Sequence, residues 1–140
     1  MKHLLYLVLA VAVIAGCSKE KKALKSLGGE TWVMTKSTYE DTGNEDLTGI
    51  RRAFTFESCK KKDQPCPGTF VYQIPQYGQD LQWTITYSIS DDADMLTIVR
   101  TPSNFQGTVQ TDEYEILQLE KDFMELKDLE NNHVSEWETE

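Results

Sequence analysis

The side chains able to hold a proton, a metal or a covalent bond are few in this chain. There are two histidines. His3 lies at the start of an apolar run, and His133 follows Asn131-Asn132 in a stretch that reads as a turn. A lone turn histidine is ordinarily a solvated side chain. Neither Gly-x-Ser-x-Gly nor His-Glu-x-x-His occurs, so no motif sets a serine on a nucleophile turn or two imidazoles around zinc. Asp91, Asp92 and Asp94 have a spacing faintly like a calcium loop. A loop of the EF-hand kind closes with a bidentate Glu at its twelfth position, and that position is Pro102. A tight acidic turn is the better reading. Carboxylate pairs of the glycosidase kind can be drawn in any acidic domain, and nothing singles one out. The chain therefore reads as a non-enzyme, with no metal and no cofactor.

The N-terminus carries a different chemistry. A basic start, Lys2 with His3, precedes the apolar run from Leu4 to Ala15 and the small residue Gly16. That order is the layout of an export signal, and the run falls well short of the roughly 20 residues that span a bilayer as a helix. The stretch Val13-Ile14-Ala15-Gly16-Cys17 resembles the lipobox of bacterial lipoproteins. The resemblance implies cleavage after residue 16, a diacylglycerol on the Cys17 thiol, and attachment to the cell envelope, at the outer membrane, with its periplasmic or surface face left open. One acyl chain binds marginally, at about 0.8 kcal/mol per buried CH2, whereas two or more anchor stably. The rival reading is a plain secretory signal that happens to precede Cys17, but Gly16-Cys17 falls directly after the apolar run.

An exported chain of this kind leaves Cys59 and Cys66 as an even pair, which reads as a disulfide. They flank a polar loop, Lys60-Lys61-Lys62-Asp63-Gln64-Pro65. Zinc is the alternative, and two cysteines without a nearby histidine make an incomplete site. The net charge of -9 becomes -10 once Lys2 is removed with the signal. So acidic a domain excludes nucleic acid as a partner, because phosphate contacts need clustered Lys and Arg. Solubility is the simpler account of the charge, and a basic protein partner the sharper one.

The elements follow from periodicity. Residues 17–28 hold the lipidated cysteine and a Lys-rich stretch that reads as a tether, with a reach on the order of 20 Å; a short helix is its alternative. Residues 29–140 form one domain of short β-rich runs: 31–39, 51–58, 69–74, 81–89, 95–101, 113–119, 123–129 and 134–139. In the clearest, Leu81, Trp83, Ile85, Tyr87 and Ile89 alternate with Gln82, Thr84, Thr86 and Ser88, the period of a strand with one wet face. Leu96, Ile98 and Arg100 share a side of the next run. About eight strands joined by hairpin-length connections predict an all-β antiparallel meander closed as a barrel, with a β-sandwich as the alternative.

The opening Gly29-Glu30-Thr31-Trp32, the central Leu81-Gln82-Trp83 with Met95-Leu96-Thr97-Ile98, and Tyr114-Glu115-Ile116-Leu117-Gln118-Leu119 leading to Phe123-Met124-Glu125-Leu126 together resemble the lipocalin-like lipoproteins of Bacteroidetes. Lipocalins open on Gly-x-Trp, whereas two residues separate Gly29 from Trp32 here. The resemblance implies a calyx that binds a small apolar ligand. The candidate liners are Phe56, Tyr72, Trp83 and Tyr87, with Trp32 plugging one end and the Tyr72 or Tyr87 hydroxyl orienting the ligand. The competing reading is that these aromatics simply fill the core. The function expected is thus a lipid-anchored carrier with a cavity of roughly 300 Å3 or more. The alternative is an acidic interaction module, an inhibitor or accessory subunit, bound to a basic partner in the envelope.

Overall fold

Alternation of apolar and polar residues runs through almost every strand, and in the computed structural model, which describes residues 19–140, it becomes the wall of a closed barrel. The export segment 1–16 and Cys17 lie outside the described residues. A helix α1 (residues 19–27) leads into β1 (Glu30–Tyr39), β2 (Gly43–Asn44), β3 (Arg51–Phe56), β4 (Cys66–Gln73), β5 (Leu81–Ile89), β6 (Met95–Pro102), β7 (Gln110–Leu119), β8 (Phe123–Asp128) and β9 (His133–Thr139). Every pairing is antiparallel, and sequential neighbours pair from β3 to β9. β1 pairs with β3 on one side and β9 on the other, with Trp32 opposite both Phe54 and Thr139. Those two ladders close the sheet and leave no long free edge. The result is the lipocalin-like barrel of eight long strands, and not the sandwich. β2 is a two-residue flap beside the end of β1.

Within the barrel, β5 shows how sequence becomes wall: Trp83, Ile85, Tyr87 and Ile89 are buried while Gln82, Thr84 and Thr86 are exposed. Where β3, β4 and β5 crowd together, Gly68 leaves no room for a side chain. A Cβ there would lie 2.4 Å from the Thr55 carbonyl oxygen.

The tether expectation is corrected from residue 19 onward. Glu20, Ala23, Leu24 and Leu27 fall at helical spacing and are buried, whereas Lys19, Lys21, Lys22 and Lys25 are exposed. Three small-to-medium apolar side chains suffice because they cover an apolar floor made by Trp32, Phe56, Cys66, Tyr87, Ile89 and Leu96. The indole Nε1 of Trp32 donates to the Leu27 carbonyl at 3.2 Å, which pins the helix end to the floor. Gly29, at φ +86°, makes the turn from helix into β1.

The loop from β3 to β4 completes this closed end. The Cys59–Cys66 disulfide spans its base, with Cα atoms 5.7 Å apart. The buried Glu20 carboxylate accepts from the Gln64 amide at 2.5 Å and faces the Lys61 ammonium at 2.7 Å. Gln64 in turn accepts the Ile89 backbone N–H at 2.7 Å. Helix, disulfide loop and β5 are thereby tied through one buried carboxylate and one amide.

Candidate site at the open end of the barrel

Followed toward the other end, the same period of two brings charged residues inward. Arg52 is in phase with Phe54 and Phe56 on β3, Arg100 with Leu96 and Ile98 on β6, and Asp112 with Tyr114 on β7. A bulge in β1 shifts the phase between Met34 and Lys36, so that Ser37 and Tyr39 face inward together with Trp32 and Met34. Of these, Met34, Tyr39, Arg52, Phe54, Arg100 and Tyr114 line a cavity of about 410 Å3 at the end of the barrel away from α1. Its apolar wall includes Phe54, Phe70, Tyr72, Leu81, Trp83 and Trp137, and its polar lining includes Arg52, Arg100, Asp128 and His133.

The aromatic wall is continuous. Ring centroids are 4.6 Å apart for Phe54 and Phe70, 5.2 Å for Phe70 and Trp83, and 4.8 Å for Phe54 and Trp137. Each guanidinium is set over this wall and clamped by a carboxylate. Arg52 lies 5.0 Å from the Tyr72 ring centre and donates to both Glu45 oxygens at 2.8 and 2.7 Å. Arg100 lies 5.4 and 5.8 Å from the Phe70 and Trp83 rings and donates to both Asp112 oxygens at 2.5 and 3.0 Å. The fork of an arginine matches a carboxylate in this two-bond mode. The hydrogen bonds from Arg52 hold the Glu45 carboxyl below its usual range, against the upward push of burial, and raise the Arg52 pKa in return.

A serine and a histidine meet beside this pair. Buried Ser37 donates to Glu45 Oε2 at 2.7 Å, and its Oγ lies 2.8 Å from His133 Nε2. Because the one hydroxyl proton goes to the carboxylate, His133 must donate from Nε2. An activated serine needs the opposite arrangement, an imidazole that accepts its proton. The contact thus positions the ring, which also stacks on Tyr39 at 4.5 Å. Burial pushes the His133 pKa down, with Asp128 and Glu45 opposing. Among the described residues, no group of three or more His, Cys, Asp and Glu is placed to hold a metal.

The expected liners divide between the two ends. Tyr72 and Trp83 line the cavity. Trp32, Phe56 and Tyr87 instead lie fully buried in the floor beneath α1. The Tyr87 hydroxyl donates to the Glu57 carbonyl at 2.6 Å, and burial pushes its pKa up to about 12; it is not free to orient a ligand. The inward-facing aromatics were legible, but their height along the barrel axis depends on strand register. His133 also departs from expectation, being the first residue of β9 and half-buried, not a solvated turn residue. Arg52, Glu45, Ser37, Asp112 and Trp137 have no assigned role in the sequence reading. The available signal was a charged residue in phase with an apolar face, at Arg52 and Arg100.

No protein-family model matches the chain, and no curated protein matches it.

Proposed function

We propose that this protein is a lipid-anchored carrier of the cell envelope, held to the membrane through Cys17, whose barrel takes up a small, largely apolar ligand at its open end. The observation that carries the reading is the cavity of about 410 Å3, walled by packed aromatic rings and open on one side. Such a volume falls in the range of small-molecule sites, which combine an apolar wall with a few placed polar groups. Here the ligand's apolar body lies against Phe54, Phe70, Trp83 and Trp137, and its polar end reaches toward the mouth.

The test uses the full chain in phosphatidylcholine nanodiscs and an alcohol with a terminal bromine, bromododecanol, which quenches tryptophan on contact. Trp83 and Trp137 line the cavity, so saturable quenching is expected, with loss of the saturable phase when Phe70 is replaced by a charged residue. Quenching that rises linearly, as for a free indole in the same nanodiscs, would overturn the reading. The anchor is tested apart from the cavity: metabolic labelling with palmitate marks the chain, and Cys17→Ser abolishes the label.

A second reading, an acidic module that docks a basic protein, is favoured by the loops at the open end. Glu40, Asp41, Glu45, Asp46, Asp80 and Glu130 lie in the connections 40–50, 74–80, 103–109 and 129–132, which contain no lysine or arginine. Titration with a lysozyme at rising salt is its test; binding or inhibition that does not weaken with salt sinks it.

A further inference from the structure

We infer that the cavity is built for a ligand without a negative charge, an apolar body ending in a neutral or cationic group, and that Glu45 and Asp112 are the residues that exclude anionic amphiphiles. The inference rests on the carrier reading above and specifies the ligand class.

Two arginines inside an apolar cavity would ordinarily suggest a carboxylate or phosphate ligand. Here both guanidiniums line the cavity but already hold a carboxylate of the same chain. Arg52 gives a bond to each oxygen of Glu45, and Arg100 gives one to each oxygen of Asp112. Both pairs are largely shielded: side-chain exposures are 17% and 23% for Arg52 and Glu45, and 19% and 13% for Arg100 and Asp112. An entering carboxylate would have to evict a preformed partner on the same chain and leave that partner's charge uncompensated. Each guanidinium also lies against aromatic rings, Arg52 on Tyr72 and Arg100 on Phe70 and Trp83.

The remaining charge points the same way. With both arginines cancelled, Asp128 is the charged side chain left in the lining, and the loops around the mouth add carboxylates with no cation among them. The field at the entrance therefore repels anions, and like charges brought together at a binding surface are a means of rejecting the wrong ligand. The closed end is different. Its helix and connections carry Lys19, Lys21, Lys22, Lys25, Lys60, Lys61, Lys62 and Lys121 among a similar number of carboxylates, so the negative bias belongs to the mouth and not to the molecule as a whole.

The experiment compares three probes of equal length, bromododecanol, bromododecylamine and bromododecanoate, by tryptophan quenching in the same nanodiscs at mildly alkaline pH. The alcohol and the amine are expected to bind, and the carboxylate to bind at least about tenfold more weakly, a difference equivalent to about 1.4 kcal/mol. Glu45→Gln frees Arg52 and Asp112→Asn frees Arg100, so each should raise the ratio of carboxylate to alcohol affinity about tenfold. The two pairs stand on different walls, so one folded variant suffices, and the wild-type ranking decides if neither folds. Carboxylate binding as tight as the alcohol's overturns the inference and leaves the carrier standing. Saturable quenching by none of the three overturns both.

Discussion

The two ends of the barrel are made from the same strands and the same alternation, yet one is filled and the other is hollow. At the closed end the inward positions hold Trp32, Phe56, Tyr87, Ile89 and Leu96, and α1 adds Leu24 and Leu27 from below. Each fully buried side chain of this size contributes about 1.5 to 3 kcal/mol from removal of apolar surface. At the open end the inward positions of the barrel strands hold Arg52, Arg100, Asp112 and His133, whose heads need partners and cannot be packed as hydrocarbon. The two paired arginines lie over the rings of the wall, and a cavity of about 410 Å3 is left. The comparison separates a half that holds the fold from a half that is free to hold something else.

The sharpest way to break that division is to exchange its aromatics. Trp32→Ala at the filled end removes a side chain with no exposure and its hydrogen bond to the end of α1. The expected loss is about 3 to 5 kcal/mol, read from urea unfolding. Tyr72→Ala at the hollow end removes a half-buried ring that already faces the cavity, and about 1 kcal/mol is expected. Equal losses would mean that the ends do not differ in the way described.

The next effect belongs to the disulfide. Replacing Cys59 and Cys66 together by serine frees a short loop, separation 7 in sequence, and should lower stability by about 2 to 3 kcal/mol on chain-entropy grounds. Because Glu20 and Gln64 tie that loop to α1 and β5, hydrogen exchange should rise in α1 and around Ile89 while the amides of Arg52 and Arg100 keep their protection. Faster exchange at both ends alike would show that the barrel opens as one unit.

Legibility in the sequence follows the same line. The eight long strands were readable in order, though not to the residue: 81–89 is β5 without change and Arg100 already stood in phase with Leu96 and Ile98, whereas β4 begins at Cys66 and β7 at Gln110, ahead of the expected 69 and 113. The pairing of Cys59 with Cys66 was readable from composition and context. Residues 19–27 were not, because three apolar residues on one face make a weak signal until the floor they cover is known. Nor was the site. Trp32, Phe56, Tyr72, Trp83 and Tyr87 all face inward, but period two cannot tell the bottom of a barrel from its mouth. The β1 bulge that turns Ser37 toward His133 inserts one residue with no mark in local composition, and the partners of Arg52 come from a loop and from a strand distant in sequence.

The finest test of the comparison is a pH dependence confined to the open end. Burial lowers the His133 pKa, so the unfolded chain takes up a proton there before the folded one does. Stability is therefore full above the unfolded value of about 6.5 and declines as pH falls below it, levelling off beneath the folded pKa. Glu45, whose carboxyl is held low by Arg52, adds its own loss only further down, below the ordinary carboxylate range of about 4. The two losses set in at different pH, near 6.5 and near 4, so urea midpoints measured in half-unit steps separate their onsets. His133→Gln keeps a donor for Ser37 and removes the titration. The variant should show a flat profile across the upper window and the same fall as the wild type in the lower one. Trp32→Ala, acting from the closed end, should shift the whole profile downward without changing its shape. A change of shape there would mean that the floor of the barrel governs how deeply His133 is buried at the mouth, and that the two ends are coupled through the wall they share.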